Sequence, residues 1–460
     1  MTLSIALLVP WLAGVLLIAF DGRKPVVAWL GVLALAAGAA AQVVLAVEVF
    51  SSGTSRVVTG GWPSGVGIDL RADALGVTFA LLSSLVLLAA ATHETIGRVR
   101  SRTFPGLVLL VATGLTGLFL TADIFSFYVF FELAMTASYA LSAYGGRRRQ
   151  LRGAVIFTAV NLLGSFIFLL SVAGAYRVTG ALAMDQVAER MGEANPNAAT
   201  MIAVGFFVAF CVKLGLFPFH FWLPTVYAGS RRAVAAILSG AVANIGAYGL
   251  LRFGTGMFAE QLRAAGVALI ILGVASVLYG GVLAIARGDV AEMLAYSAIG
   301  QVGYVLVALG VGGPVGLAAA VLYSVINSMN KTLLFLTAGA RGALVAAAFA
   351  VGALSVAGLP PAAGFVGKLE LFRTGVSAGS VLLLVLMLFG SALSVIYMFQ
   401  VYQRSFWRPD TVAVGRPSPL PQRLLTALLA VVVLAAGLWP EPLLAVSGHA
   451  VDVLLAGRST

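Results

Sequence analysis

Long apolar stretches, most of them close to 20 residues or longer, follow one another along almost the whole of this 460-residue chain. About 20 consecutive apolar residues are what an α-helix needs to cross the hydrocarbon core of a bilayer. Only 10% of the residues are charged, whereas soluble globular domains carry roughly 25%. Because so few charges cannot furnish a water-facing surface, the sequence predicts an all-α polytopic membrane protein. It excludes soluble enzymes, disordered tails and disulfide scaffolds.

We predict about fourteen transmembrane helices from these stretches. The first ends in Asp21-Gly22-Arg23-Lys24 without a small-residue cleavage site, so we expect a span and not a cleaved signal sequence. The predicted spans cover approximately residues 2–20, 26–50, 74–92, 104–121, 123–144, 153–176, 199–224, 233–251, 264–286, 293–311, 315–340, 342–374, 376–402 and 424–440.

The charges between the spans are distributed unequally. The connections that follow odd-numbered spans carry a net charge of +12, and those that follow even-numbered spans sum to zero. Basic residues accumulate in cytoplasmic loops of membrane proteins. This bias predicts that the odd connections face the cytoplasm and that both termini face the other side. It also accounts for the overall charge of +11, so no nucleic-acid partner is needed.

Two predicted spans are interrupted by proline. Pro218 breaks the seventh span, and Pro360 with Pro361 breaks the twelfth. Proline removes a helix donor, and such breaks survive in lipid only where protein or a wet cavity covers the freed backbone. Since the breaks are five spans apart, their helices cross in opposite directions, as in inverted repeats. The predicted units are residues 1–103 (spans 1–3), 104–254 (first repeat, spans 4–8), 255–407 (second repeat, spans 9–13) and 408–460 (span 14).

Four charged residues lie inside or close to apolar spans, namely Glu132, Lys213, Lys331 and Lys368. Charges at such positions are costly and are functional candidates by default. A carboxylate and amines within reach of bridging water form a path along which protons can move. The alternative is that these charges reach an interface or form a static ion pair. That alternative has more weight for Lys331 and Lys368, which lie nearer helix ends.

Polar residues on neighbouring spans are candidates to continue a wet path. Singly, each is also explained by an interhelical hydrogen bond. His220 in the broken seventh span is a possible proton relay or a packing residue. The candidate relay residues are Ser138, His220, Asn244, Asn327 and Tyr304, and the same path passes Asn161, Ser165, Gln301 and Asn330.

The sequence offers no place for a cofactor. The single cysteine, Cys211, excludes iron–sulfur clusters and zinc ribbons made by this chain. The histidines lack metal-binding spacing, and no phosphate loop or dinucleotide fingerprint is present. No metal, cofactor or catalytic residue is therefore expected.

Several motifs, in the same order along the chain, resemble one family of membrane proteins. The chain is similar to the antiporter-like subunits shared by Mrp-type cation/proton antiporters, the membrane arm of respiratory complex I and energy-converting hydrogenases. Within that family, the first and last motifs are most similar to D-type Mrp subunits. The motifs are Gly60-Gly-Trp-Pro63, Phe130-Phe-Glu132, Lys213-Leu-Gly-Leu-Phe-Pro218, Phe221-Trp-Leu-Pro224, Met293-Leu-Ala-Tyr-Ser297, Gln301-Val-Gly-Tyr304, Asn330-Lys331, Gly358-Leu-Pro-Pro361 and Gly364-Phe-Val-Gly-Lys368.

The resemblance implies a proton-translocating subunit of a larger complex in a bacterial-type cell membrane, working with other membrane subunits on protons and Na⁺. It implies that Glu132, Lys213, Lys331 and Lys368 are the proton-carrying residues. Asn244 and Asn327 depart from the family pattern, which has titratable residues there. Two other functions stay open, a proton-pumping subunit of a redox complex and a non-conducting scaffold. The chain would have enzymatic character only as part of a redox-driven translocase.

Overall fold

The computed structural model describes residues 2–58, 67–407 and 418–456, which are almost entirely helical. The motif at residues 60–63 lies outside the described residues. One antiparallel hairpin, with Ser55 opposite Ala72, joins the second and third helices. The first elements are α1 (Thr2–Leu17), α2 (Pro25–Ser52), β1 (Ser55–Val58), β2 (Asp69–Ala72) and α3 (Ala74–Ile96).

The next group of helices includes the first broken span. Its elements are α4 (Phe104–Phe119), α5 (Ile124–Ser142), α6 (Arg148–Thr179), α7 (Met184–Gly192), α8 (Pro196–Leu214), α9 (Trp222–Gly229), α10 (Arg232–Ile237) and α11 (Asn244–Gly256). A π-helical turn, Leu238–Val242, joins α10 to α11. Helix α8 ends at Gly215, which has a φ of +65° and donates to the carbonyls of Cys211 and Val212. The predicted break at Pro218 is confirmed, because it separates α8 from α9.

The following group contains the second broken span. Its elements are α12 (Ala259–Ala264), α13 (Gly266–Ile285), α14 (Val290–Val311), α15 (Gly313–Thr337), α16 (Ala343–Ala357), α17 (Ala363–Ser377) and α18 (Val381–Tyr402). Helix α16 ends at Gly358, whose φ is +78°. The second break, at Pro360 and Pro361, is also confirmed, since it separates α16 from α17.

Two helices complete the described chain, α19 (Leu420–Leu438) and α20 (Glu441–Ala456). The sequence analysis did not predict α20, because Glu441, His449 and Asp452 interrupt its apolar pattern. It buries Ser447, Ala450, Val451 and Leu454 and packs against α3 and α15.

Helices α13 and α14 approach each other unusually closely. A Cβ atom on Gly303 would lie 2.4 Å from the carbonyl oxygen of Gly273, and one on Gly273 would lie 2.6 Å from that of Gly303. Only glycine fits at both positions. In lipid no hydrophobic effect drives helices together, and small residues at a crossing instead allow the close van der Waals packing that stabilises it.

In the described ranges, eleven helical segments are long and apolar enough to cross a membrane, and three shorter apolar helices (α1, α4 and α16) accompany them. The chain is thus an all-α, multi-pass membrane protein. The number fourteen and the boundaries of the four units stay predictions.

The connections between helices form two separate groups, and members of each group contact one another. On one side, Gly22 N–H donates to the Arg102 carbonyl at 2.7 Å, and Arg149 pairs with Glu292 at 3.1 Å. On the other side, Ala122 N–H donates to the Asp69 carbonyl at 2.9 Å. The first set follows odd-numbered spans and the second follows even-numbered ones, as alternate crossing requires.

Candidate functional site

The three predicted lysines are buried within the helix bundle. Lys213 is 4% exposed, Lys331 0% and Lys368 2%. Glu132, on α5, is half-buried, and its Oε1 atom is buried without a hydrogen-bond partner. The interpretation that these lysines reach an interface with water is therefore not supported. The four residues form no direct ion pair with one another in the described part of the chain.

Lys213 lies in the last turn of α8, directly before the first break. Its Nζ atom donates to the backbone carbonyl of Asn161 at 2.9 Å and to Ser165 Oγ at 3.2 Å, both on α6. It also lies 4.3 Å from the ring centroid of Phe131. Glu132 follows Phe131 and is close enough to act electrostatically on the ammonium group. Lys213 is thus held by neutral acceptors, with a carboxylate nearby.

Two small cavities lie between Lys213 and Lys331. The first, about 10 Å³, is lined by Asn161, Lys213, Tyr227 and Ala243 among others. The second, about 20 Å³, is lined by Tyr227, Ala243, Asn327 and Lys331 among others. A cavity of roughly 10–15 Å³ is the least that holds one water molecule. Tyr227 and Ala243 line both cavities, so these two residues form the partition between them.

The side chain of Tyr227 is fixed on several sides. Its hydroxyl donates to the Leu238 carbonyl, in the π-helical turn, at 3.2 Å. Its ring meets those of Trp222 and Phe335 edge-on, at centroid distances of 6.1 and 5.7 Å. These contacts hold the Tyr227 ring in its position between the two cavities.

Asn244 lies in the wall of the larger cavity and is held at both ends. Its Nδ2 atom donates to the Gly240 carbonyl at 3.0 Å, and its Oδ1 accepts from Ser328 Oγ at 3.0 Å. Asn327 lines the same cavity with its Oδ1 atom buried and unpartnered. An amide donates and accepts hydrogen bonds but does not titrate. These residues can orient water but cannot store a proton.

Lys331, on α15, begins a chain of hydroxyl contacts. Its Nζ donates to Ser297 Oγ at 3.0 Å, and Ser297 Oγ lies 3.0 Å from Tyr397 Oη. Gln301 Nε2 donates to Tyr397 Oη at 3.0 Å, and Gln301 Oε1 accepts from the hydroxyl of Tyr323. We call Ser297, Gln301, Tyr323 and Tyr397 the Lys331 network.

Lys368, on α17, lies at the second break and close to the Lys331 network. Its Nζ donates to the Ala357 carbonyl at 3.1 Å, where it caps the negative C-terminal end of α16. It also lies 5.4 Å from the ring centroid of Tyr304. The Tyr304 and Tyr323 rings meet edge-on at a centroid distance of 5.8 Å. Lys331 and Lys368 are thus joined by the network and one pair of aromatic rings.

Two of the predicted relay residues, Ser138 and His220, lie outside the hydrogen-bonded groups around the three lysines. The Ser138 hydroxyl donates to the Ala134 carbonyl of its own helix at 2.7 Å. His220 is half-buried in the first break, with its ring centroid 4.4 Å from that of Tyr279. Within the described ranges, neither side chain hydrogen-bonds to the polar residues around the lysines, and their roles stay predictions.

Sequence reasoning missed two parts of this interior. It did not single out Ser297, Tyr323 or Tyr397 as network residues, although Ser297 belongs to a family motif. It also missed the buried ion pair of Arg252, in α11, with Asp73, before α3. Arg252 Nη2 lies 2.6 Å from Asp73 Oδ1 and its Nε donates to Tyr248 Oη at 3.1 Å. Both residues stood at predicted span ends, where charges are common.

In the described ranges, no group of three or more His, Cys, Asp or Glu side chains converges as a metal site requires. The polar surroundings of the three buried lysines are built instead from hydroxyls, amides, backbone carbonyls and the carboxylate of Glu132. Two broken helices and buried amines on crossing helices define a membrane protein with a polar interior of the kind that ion-translocating proteins use.

Comparison with known proteins identifies the family. Residues 121–343 and 340–394 match the family described as NADH:quinone oxidoreductase/Mrp antiporter, transmembrane. These residues make up more than half of the chain, which therefore belongs to this family.

Curated relatives include two proteins named as the D-type component of a Na⁺/H⁺ antiporter. The protein from Alkalihalophilus pseudofirmus is 30% identical over 474 aligned positions, covering 98% of this chain and 96% of the relative. The protein from Bacillus subtilis is 30% identical over 424 positions, covering 87% and 86%.

Solved structures agree with this assignment. A chain of the Mrp complex from a Dietzia species superposes with a TM-score of 0.90 at 26% identity, covering 98% of this chain and 97% of that one. A chain of respiratory complex I from Thermus thermophilus gives a TM-score of 0.79 at 27% identity, covering 97% and 99%.

Proposed function

We propose that this chain is the proton-translocating subunit of a multi-subunit Na⁺/H⁺ antiporter of the Mrp type, in which Glu132, Lys213, Lys331 and Lys368 carry the proton. The observation that carries the proposal is the burial of three lysines to 4% exposure or less inside a membrane bundle. Ionisable groups at such positions are costly and mark ion pathways. The relatives named as Na⁺/H⁺ antiporter components indicate which ions are exchanged.

The first transfer would take place between Glu132 and Lys213. Glu132 Oε1 has no hydrogen-bond partner, so it is free to accept a proton. Protonation would remove the negative charge that stabilises the Lys213 ammonium group. A proton that arrives at Glu132 therefore changes the electrostatic environment of Lys213.

The second transfer would pass from Lys213 to Lys331 through the two cavities. Each is large enough for about one water molecule. The partition of Tyr227 and Ala243 stands between them, so transfer needs a small displacement of this partition or the Tyr227 hydroxyl itself. Asn244 and Asn327 would hold the water in the larger cavity.

The third transfer would use the Lys331 network. Serine and tyrosine hydroxyls both donate and accept hydrogen bonds, so Ser297 and Tyr397 can pass a proton without becoming charged. Gln301 holds the hydroxyls of Tyr397 and Tyr323. Its amide is a positioning group. Lys368, beside Tyr304, would be the last amine of the path.

We further propose that residues 104–254 and 255–407 are two inverted repeats. The two breaks support this, because each follows a helix that ends on a glycine of positive φ, Gly215 or Gly358. The separation of odd from even connections, together with the positive charge of the odd ones, supports a cytoplasmic location for the odd set. Both termini would then face the extracytoplasmic side of a bacterial cell membrane.

The energy for transport would come from the proton gradient, exchanged against Na⁺. The structures of similar chains belong to an Mrp complex and to respiratory complex I, which supports other membrane subunits as partners of this chain.

A second candidate is a proton-pumping subunit of a redox complex, supported by the similarity to a complex I chain at 27% identity. Purification of the native complex distinguishes the two, since only a redox complex contains subunits that hold a flavin or iron–sulfur clusters. A third candidate, a non-conducting scaffold, is motivated by Asn244 and Asn327.

The decisive experiment measures Na⁺-dependent proton movement in everted membrane vesicles that contain the whole complex. We expect Glu132→Ala and Lys213→Ala each to lower the rate by about tenfold or more, because each removes a group that holds the proton. Glu260→Ala and Lys24→Ala, at exposed positions, are matched controls that should retain transport. Wild-type rates in both the Glu132→Ala and the Lys213→Ala variant would leave only the scaffold.

A further inference from the structure

A cavity of about 460 Å³ opens at the side of the odd-numbered connections, away from the buried lysines. It lies between the connection of α1 to α2, that of α3 to α4 and that of α5 to α6. Its lining includes Arg23, Arg100, Arg102, Thr103, Leu107 and Leu141. Three guanidinium groups from two separate connections thus meet at one cavity.

The charges around this cavity are not balanced. Arg23 is paired with Asp21 at 2.8 Å, and these hydrogen bonds lower the pKa of Asp21 to about 2, so the carboxylate is already engaged. Arg102 Nη2 donates to the Ala19 carbonyl at 2.8 Å, a neutral acceptor. Arg100 makes no side-chain hydrogen bond or ion pair with any residue of the described ranges. The lining therefore carries excess positive charge.

The backbone adds to this positive potential. Thr103 precedes α4 and lines the cavity, and its side chain makes no capping hydrogen bond. The first amide groups of a helix carry a partial positive charge and bind anions. Pro105 lacks an N–H, so the amide that α4 offers at the cavity is that of Phe104. The arginines and the start of α4 thus act on the same space.

One part of the lining is apolar. Leu107 of α4 is partly buried and Ala140 of α5 is exposed, so these two apolar side chains are accessible from the cavity. A free phosphate ion would gain nothing from such side chains. A molecule with an anionic phosphate and attached hydrocarbon chains fits both parts.

We propose that this cavity binds the headgroup of an anionic phospholipid, with the phosphate beside Arg100 and Arg102 and the first acyl carbons along Leu107 and Ala140. Basic pockets between membrane helices bind anionic headgroups in this way. This proposal is independent of the proton path.

The test uses the whole complex, purified and returned to phosphatidylcholine bilayers that contain a small fraction of phosphatidylglycerol. Native mass spectrometry counts the phosphatidylglycerol molecules retained by this subunit, and thermal unfolding is followed with and without phosphatidylglycerol. We expect the double variant Arg100→Gln/Arg102→Gln to weaken retention by about thirtyfold, because each basic residue near a headgroup contributes about one kcal/mol. Its unfolding temperature in pure phosphatidylcholine should equal that of the wild type, which shows that it folds.

The matched control is Arg148→Gln/Arg152→Gln, which removes the same charge from two exposed positions outside the cavity. This control should retain phosphatidylglycerol as the wild type does. Equal loss in the control, or no loss in the cavity variant, would overturn the proposal. Equal stabilisation by inorganic phosphate alone would also overturn it, because this result indicates a free-anion site. A structure of the complex with the cavity filled by an acidic segment of a neighbouring subunit would overturn it as well.

Discussion

The Lys331 ammonium group donates to the Ser297 hydroxyl at 3.0 Å, and this hydroxyl lies 3.0 Å from that of Tyr397. The contact joins α15 to α14, which directly precedes it in the sequence, and to α18, which follows two further helices. It gives a buried amine a neutral hydroxyl partner in place of a carboxylate.

Tyr397→Phe should slow transport while leaving the fold intact. The variant removes one hydroxyl from the Lys331 network and keeps the ring, so we expect the vesicle transport rate to fall about tenfold, equivalent to roughly 1.4 kcal/mol. Tyr402→Phe, on the same helix and without a side-chain hydrogen bond in the described ranges, is the control. A Tyr397→Phe complex with wild-type rates would exclude the network from the proton path.

Ala243→Leu should interrupt transfer between Lys213 and Lys331. Ala243 borders both cavities, and three added carbon atoms fill spaces of about one water molecule each. We expect at least a tenfold loss of transport, with an unfolding cost of about 1–3 kcal/mol from overpacking. Ala40→Leu, at an exposed position of α2, should alter neither quantity. Transport that survives in folded Ala243→Leu would show that protons bypass these cavities.

Arg252→Gln should destabilise the fold through the buried pair with Asp73. Removal of Arg252 leaves the buried Asp73 carboxylate with only the longer ionic contact to Arg71, at 3.6 Å, so we expect a loss below the roughly 3–5 kcal/mol of a buried charge without any partner. The double variant Asp73→Asn/Arg252→Gln should recover part of the loss. Arg263→Gln, exposed on α12, is the control. Thermal unfolding of the purified complex measures the stability of all three variants. An unfolding temperature of Arg252→Gln equal to that of the wild type would show that the pair contributes little to stability.

The same pair predicts a dependence of stability on acid. Burial alone disfavours the Asp73 carboxylate, but Arg252 and Arg71 hold its pKa below the ordinary value of 3.8. Because the pKa of Asp73 is lower in the folded than in the unfolded state, its carboxylate stabilises the folded protein above pH 3.8. This stabilisation is lost as the pH falls through the folded-state pKa. The wild type should therefore lose stability below about pH 4 more steeply than Asp73→Asn. Parallel acid unfolding curves would contradict this prediction.

Gly358→Ala should disturb Lys368. Gly358 has a φ of +78°, and an added Cβ would lie 2.4 Å from Lys368 Cδ. Gly379 has a φ of +63° with nothing within 4 Å of the added atom, so Gly379→Ala isolates the backbone cost of about 1 kcal/mol. We expect Gly358→Ala to lose more stability than this control and to lose transport as well. Equal effects in unfolding and transport assays would show that the lysine stem adjusts freely.

Much of the fold was predictable because hydrocarbon thickness fixes the length of an apolar run. The breaks at Pro218 and Pro360 were predictable for a local reason, the missing proline donor. Helix α20 was not, because Glu441 and Asp452 make its pattern resemble a loop, and its burial depends on contacts with α3 and α15.

The candidate site was predictable only where a charge stood out against apolar neighbours. Lys213 and Lys331 satisfied that condition, and both are buried as expected. Ser297 and Tyr397 did not, since hydroxyl residues are common in membrane helices and the two lie 100 positions apart. The Arg252–Asp73 pair was not predicted either, because its residues are 179 positions apart and only the fold brings them together.

The side chains of Tyr227 and Ala243 have a consequence for energy conservation. An unbroken column of water across the bundle would short-circuit the membrane gradient whenever no cation was being exchanged. A barrier only two residues thick would prevent such a leak, and it borders both cavities closely enough for a small local movement to open it. In a chain that moves protons as proposed, this barrier is where idle dissipation is prevented.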